Sequence, residues 1–266
     1  NSPPKSMKVT RRKFLTSSAI AGASSATLLQ ASSHKASEQR FHELIKFEVL
    51  NNAKRGQLEK FIGDTIIPGL NNLGCKPIGV FRPKYGAHGS EVYLLVPHAN
   101  IDSFLTVWDE LAETPEYLAV ANTEMSDPLY ERMESSLMKA FKGMTEIEVP
   151  SAVDGVKGRI FELRTYESHN RLKSIHKIEM FNEGGEIKIF RDVGLHPVFF
   201  GQTVAGPLMP NLVYMLAFTD MQQRDKHWGQ FSSSPGWAEL RKETRYSGTV
   251  SAITDVILTA SPVSQI

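Results

Sequence analysis

Three alternating residues, Glu162, Arg164 and Tyr166, form the strongest chemical feature of this 266-residue sequence. On a strand, residues two apart point the same way. An acid, a guanidinium and a phenol would then share one face. Such a row could line a polar pocket and grip an anionic or carbonyl-bearing ligand. The competing reading is an ion-paired face with the tyrosine as filler, a common structural use of these residue types. The eight histidines stand at 34, 42, 88, 98, 169, 176, 196 and 227. None pairs with another at i, i+4, and neither His-x-His nor His-Glu-x-x-His occurs, so local spacing predicts no metal site. His169, His176 and His196 fall around one predicted strand and helix. One of them could be a haem axial ligand or a general base, against the plainer reading of a surface or capping histidine. His169 and His196 join the polar row as ligand-binding candidates.

Cys75 is the single cysteine, which excludes an intrachain disulfide and a cysteine-based zinc knuckle. It could act as a nucleophile only beside a base, and no local motif supplies one. Trp108, Trp228 and Trp237 recur with helical neighbours, which favours core packing over a ligand platform. Gly-x-Gly-x-x-Gly, Walker, kinase and Gly-x-Ser-x-Gly patterns do not occur, so nucleotide, dinucleotide and α/β-hydrolase readings fall away.

The elements that must position these residues come in two copies. His42-Glu43-Leu44 faces Phe161-Glu162-Leu163 at a shift of 119, Gly74 and Pro77 face Gly194 and Pro197 at 120, and Val92-Tyr93 faces Val213-Tyr214 at 121. Trp108, Pro115 and Tyr117 face Trp228, Pro235 and Trp237 at 120. Two copies suit two small domains, not a solenoid. The expected boundaries are 41–150 and 156–262, divided at the turn-rich Pro150-Ser151-Ala152-Val153-Asp154-Gly155. Strands are predicted at 41–50 and 159–168, 76–82 and 196–204, and 91–97 and 211–218. Closing strands are predicted at 145–149 and 249–259. A helix follows each first strand, interrupted in the second copy by Gly184-Gly185. Asp102 and Asp220 read as caps of a further helix, and Pro115 and Pro235 as starts of a short one. The order is β-α-β-β-α-β, a ferredoxin-like unit. Val92–Val96 and Val213–Phe218 are apolar on consecutive residues, so both sheet faces need cover. Helices cover one face and the other copy's sheet must cover the second. The predicted class is therefore α+β, with two tandem ferredoxin-like repeats closing as an α/β barrel. The barrel interior is the expected ligand site.

Glu162-Leu163-Arg164-Thr165-Tyr166-Glu167, with Gly194, Asn211-Leu212-Val213-Tyr214, Arg224, Trp228 and Pro235-Gly236-Trp237, resembles the NIPSNAP family. The resemblance is clearest over 159–262. The first copy has Ile45-Lys46-Phe47 where the second has Arg-Thr-Tyr, and lacks the arginine matching Arg224. The resemblance implies the dimeric α/β-barrel superfamily, which includes cofactor-free monooxygenases, haem enzymes and ligand-binding stress proteins. Fold does not choose among these.

The first 36 residues hold Lys5, Lys8, Arg11, Arg12, Lys13, Lys35 and no acid. A basic region, an apolar run from Ala19 to Leu29 and a polar stretch follow the layout of an export signal. Thr10-Arg11-Arg12-Lys13-Phe14-Leu15 resembles the twin-arginine motif of the Tat pathway, with Arg11 and Arg12 as its defining pair. Eleven residues are too few for a stable membrane anchor. The formal charge of +1 then conceals a body of 24 basic against 29 acidic residues, a net of −5, which argues against nucleic-acid and anionic-membrane partners. The sequence thus predicts an exported, periplasmic or extracellular module that meets the Tat machinery and holds a small, mostly apolar ligand. A monooxygenase or haem-type enzyme and an envelope interaction scaffold are the alternatives, and homo-oligomerisation stays open.

Overall fold

A computed structural model describes residues 39–85, 90–124 and 127–266. The segment expected to be an export signal, with Arg11 and Arg12, lies outside the described residues, as do His34 and His88. The first repeat runs β1 (Phe41–Glu48), α1 (Asn52–Phe61), a π-helical turn (Ile62–Ile66), α2 (Ile67–Asn72), β2 (Gly79–Pro83), β3 (Glu91–His98), α3 (Ile101–Ala112), α4 (Pro115–Glu124) and β4 (Arg132–Ala140). The second runs β5 (Ile160–Glu167), α5 (Arg171–Asn182), α6 (Glu186–Asp192), β6 (His196–Ala205), β7 (Asn211–Phe218), α7 (Met221–Ser233), α8 (Pro235–Leu240), a 3-10 turn (Thr244–Tyr246) and β8 (Ala252–Ala260).

Local chemistry sets the helix ends. The side chains of Asn51, Asn100, Asn170 and Asp220 each accept a backbone N–H of the first turn. Gly74 and Gly194, matched in the sequence, close α2 and α6 in the left-handed region (φ 86° and 81°) that other side chains resist. Two expectations are corrected. The cap of α3 is Asn100, with Asp102 inside the first turn, where an acid still favours the helix dipole. The closing strand of the first repeat is Arg132–Ala140, not 145–149. Thr145–Val149 has the β-branched alternation of a strand but lies in the connection between repeats. The true strand reads Arg-Met-Glu-Ser-Ser-Leu-Met-Lys-Ala, whose half-exposed start hides the pattern.

The eight strands close into one antiparallel barrel in the order β1-β3-β2-β8-β5-β7-β6-β4. Each repeat supplies four neighbouring strands. The seams are β2 on β8, where Phe81 faces Ala260, and β4 on β6, where Ala140 faces Gly201. Strand alternation then divides the side chains. Phe161 and Leu163 of β5, with Val213 and Met215 of β7, point inward to meet Phe81, Leu95 and Met138 of the first repeat. The rings of Phe81 and Phe161 lie 4.9 Å apart, edge to face. An eight-stranded barrel is just wide enough for side chains to fill. The interior, where the sequence pointed for a ligand, is a core of Phe81, Phe161, Phe199 and Met215, all fully buried. The opposite faces pack against helices in two further cores, one per repeat.

Candidate functional site

Strand parity also decides where the polar row goes. Glu162, Arg164 and Tyr166 alternate with the inward-facing Phe161 and Leu163, so they face the helices of the second repeat and not the barrel interior. There they form a closed cluster. Glu162, 0% exposed, accepts Nη1 of Arg164 and Nη2 of Arg224 on Oε1, each at 2.6 Å, and Trp228 Nε1 on Oε2 at 2.7 Å. The Arg164 guanidinium lies 4.8 Å from the Trp228 ring centre and 5.5 Å from that of Tyr166. Burial opposes the charge on Arg164, but Tyr214, Tyr166 and Glu162 outweigh it and raise its pKa. Tyr214 Oη donates to Tyr166 Oη at 2.8 Å, and burial pushes the Tyr214 phenol well above its ordinary range. Rings of Phe181, Phe190 and Phe200 surround Tyr214.

The histidine candidates sit elsewhere. His169 is exposed on the turn after β5. His196 opens β6, half-buried, its ring centre 6.1 Å from that of His227; burial, then His227 and Arg191, lower its pKa. His176 lies on α5 with Nδ1 buried. The structure therefore brings Glu162, Arg164 and Tyr166 together and leaves His169 and His196 apart from them.

The counterpart in the first repeat is different in kind. Glu43, Ile45 and Phe47 occupy the positions of Glu162, Arg164 and Tyr166, and Trp108 and Phe104 those of Trp228 and Arg224. The carboxylate and the tryptophan persist, and Trp108 Nε1 donates to Glu43 Oε2 at 2.8 Å. Both arginines are gone. A cavity of about 280 Å³ lies there between sheet and helices, walled by Phe47, Phe61, Ile66, Tyr117, Tyr130 and Met133, with Glu43 and Trp108 also on its surface. Ile66 ends the π-helical turn, whose widened register carries the Ile67 N–H back to Ile62 O; such turns recur at functional sites.

Glu43, 3% exposed, is the centre of a buried polar chain. Its Oε1 accepts Ser135 Oγ at 2.6 Å, and its Oε2 lies 3.3 Å from His98 Nε2. His98 Nδ1 is 3.3 Å from Ser103 Oγ and 3.9 Å from the Cys75 sulfur. Burial works against charge on His98, but the Cys75 and Glu43 partners outweigh it and hold the pKa above the usual 6.5. The base that Cys75 lacked locally is thus His98, 23 residues away. Sequence reading counted His98 among eight histidines and gave it no role. The signal that could have found the site was the repeat itself, which set Glu43 against Glu162 while removing both arginines.

Comparison with known proteins gives a family and a fold. The family model described as NIPSNAP matches residues 42–143 and again 161–265. No curated protein matches the chain. Among solved structures, a "putative monooxygenase" from Lactobacillus acidophilus NCFM is 13% identical over 84% of this chain and 94% of its own, with a TM-score of 0.55. A protein of the same description from Fusobacterium nucleatum is 9% identical over 84% and 93%, with a TM-score of 0.56. A NIPSNAP-like domain protein from Burkholderia xenovorans is 21% identical over 41% of this chain and 90% of its own, with a TM-score of 0.37. The first two likenesses establish the barrel fold.

Proposed function

The chain belongs to the NIPSNAP family, and from that premise we propose that it binds a small, mostly apolar ligand in the sheet–helix cavity of its first repeat. The observation that carries this is the contrast between repeats. The same space in the second repeat holds Arg164 and its aromatic neighbours, whereas the first retains about 280 Å³ behind Ile45 and Phe47. A largely apolar wall with a few polar groups, Glu43 among them here, is the usual build of a small-molecule site.

Naphthalene, followed by its own fluorescence, tests the reading on the full chain. One saturable site is expected. Met133 is on the cavity wall and 51% exposed, so Met133→Trp can narrow the cavity without straining the core. That variant should weaken binding at least about 10-fold, or about 1.4 kcal/mol. Unchanged binding would place the probe elsewhere and end the proposal.

The second reading is an enzyme of the monooxygenase type, and the observation favouring it is the buried Glu43–His98 pair, of which Glu43 reaches the cavity surface. A haem would need an axial ligand facing that space. His98 turns its nitrogens to Glu43, Ser103 and Cys75, and His169, His176 and His196 are not on the cavity wall. These histidines do not fit a haem.

The reading extends to export through the twin-arginine-like segment. With Arg11 and Arg12 both changed to lysine, the full chain should stay in the cytoplasm of a bacterium that exports the unaltered chain. Equal fractionation of the two would sink this part.

A further inference from the structure

The second repeat shows how this fold holds a cation. The Arg164 guanidinium donates to Glu162 Oε1 and lies 4.8 Å from the ring centre of Trp228 and 5.5 Å from that of Tyr166. A carboxylate beside aromatic faces is a recognition set for organic cations. The first repeat keeps that set. Glu43 stands for Glu162, Trp108 for Trp228 and Phe47 for Tyr166, and all three line the cavity. The side chains that carry the fixed positive charge are replaced, Arg164 by Ile45 and Arg224 by Phe104.

The carboxylate oxygens show where a cation would sit. In both repeats Oε2 accepts the tryptophan N–H. In the second, Oε1 accepts both guanidinium groups. In the first, Oε1 accepts Ser135 Oγ, while Oε2 also meets His98 Nε2. Each carboxylate oxygen has about two acceptor positions, which leaves about one open on the oxygen that elsewhere holds the arginines. A carboxylate only 3% exposed is destabilising unless positive charge answers it. We propose that the cavity takes an organic cation, an amidinium, guanidinium or primary ammonium group on an apolar body, and that this head sits on Glu43 against Trp108 and Phe47 as Arg164 sits on Glu162. This rests on the reading of the cavity as a ligand site and gives the class of ligand. Phe61 and Ile66 of the wall receive the apolar body.

His98 is the ligand's competitor. Among the described residues it is the group on Glu43 able to carry positive charge, and imidazole gains and loses its proton near neutrality. Imidazolium brings from within the charge that a ligand would bring from outside. Neutral imidazole leaves that place to the ligand. The groups facing His98 are Glu43 from β1, Cys75 from the loop before β2, and Ser103 and the Phe104 ring from α3. The neighbouring His42 also couples to it through charge. Burial opposes charge on His98, but Cys75 and Glu43 outweigh it and hold the pKa above 6.5. Cation binding should therefore strengthen as pH rises through that titration.

The test follows the binding of three probes with one body to the full chain, by naphthyl fluorescence at about pH 8, above the ordinary histidine range. They are 2-naphthamidine, which carries an amidinium, 2-naphthamide, its neutral isostere, and naphthalene. The amidinium should bind at least about 10-fold tighter than the amide. Glu43→Gln keeps the shape and an acceptor for Trp108, and should remove that preference while naphthalene still binds. His98→Gln should flatten the pH dependence of the preference. Ile45→Arg plants the second repeat's guanidinium in the first and, with the fold kept by circular dichroism, should close the site to the amidinium. If that variant does not fold, Glu43→Gln decides alone. An amidinium that binds no tighter than the amide, or a preference that survives Glu43→Gln, overturns the cation proposal and leaves the apolar cavity standing. Failure of all three probes to bind overturns the two together.

Discussion

Glu162→Gln is expected to cost about 3–5 kcal/mol of folding stability, the usual price of removing one partner from a buried ion pair. The wild-type carboxylate is fully buried and answers two guanidinium groups and an indole N–H. Glutamine keeps the shape and an acceptor for Trp228, but leaves Arg164 and Arg224 facing each other without the anion. Their side chains are only 14% and 19% exposed, so water does little to screen them. Urea unfolding at neutral pH measures the loss. Copying the first repeat, with Arg164→Ile and Arg224→Phe added, should recover much of it, because the charges that needed Glu162 are then gone. The matching Glu43→Gln should cost less, about 1 kcal/mol, since His98 can shed its proton and no fixed charge is stranded. Equal losses at the two sites would refute this account of the cluster.

His42 carries the second large effect. Its side chain lies in the barrel, edge-on to Phe199 at 5.7 Å between ring centres, 1% exposed. Neither ring nitrogen reaches a hydrogen-bond partner among the described residues. Burial, followed by repulsion from His98, lowers its pKa from 6.5 to about 4. The unfolded chain thus binds the proton more readily than the folded one. The stability this site offers is fully present above pH 6.5 and is lost as pH falls toward 4, by about 3 kcal/mol in all. His98 opposes the trend, since its raised pKa stabilises the fold on the acid side. The comparison must therefore isolate His42. His42→Phe, which copies Phe161 of the second repeat, should flatten the stability profile between pH 7 and pH 4 by about that amount. A profile with wild-type slope would show that His42 is not the group that titrates.

Much of this architecture was legible because periodicity and repetition are local or one-dimensional signals. The consecutive apolar residues of β3 and β7 required cover on both faces, and with a second copy to supply the other sheet that requirement led to a barrel. The shift of about 120 located both copies. The first repeat's β4 was missed because half of it is exposed, so burial does not impose a strict alternation on its residues, while Thr145–Val149 imitates a strand in a connection. Glu162, Arg164 and Tyr166 were placed on one face by parity. Parity cannot say whether that face looks inward or toward helices; that depends on which neighbours fill the barrel, here Phe81 and Phe199. The chain from Glu43 through His98 to Ser103 and Cys75 spans separations of 55, 5 and 23 residues. No motif with fixed spacing describes it. It exists because β1, β3 and the loop before β2 become neighbours on folding.

The seams β2–β8 and β4–β6 join two halves of one polypeptide. In a symmetric homodimer one gene writes both halves, and the interfaces are self-complementary. Any substitution that plugs one cavity there plugs its twin, and any charge placed in one core is placed in both. Fusion removes that constraint. Ile45 and Arg164 can mutate independently, so one half can be selected for rigidity while the other keeps an open space. The buried arginines of the second repeat and the open cavity of the first are, in this sense, a division of labour that a duplicated gene can record and a single-copy gene cannot.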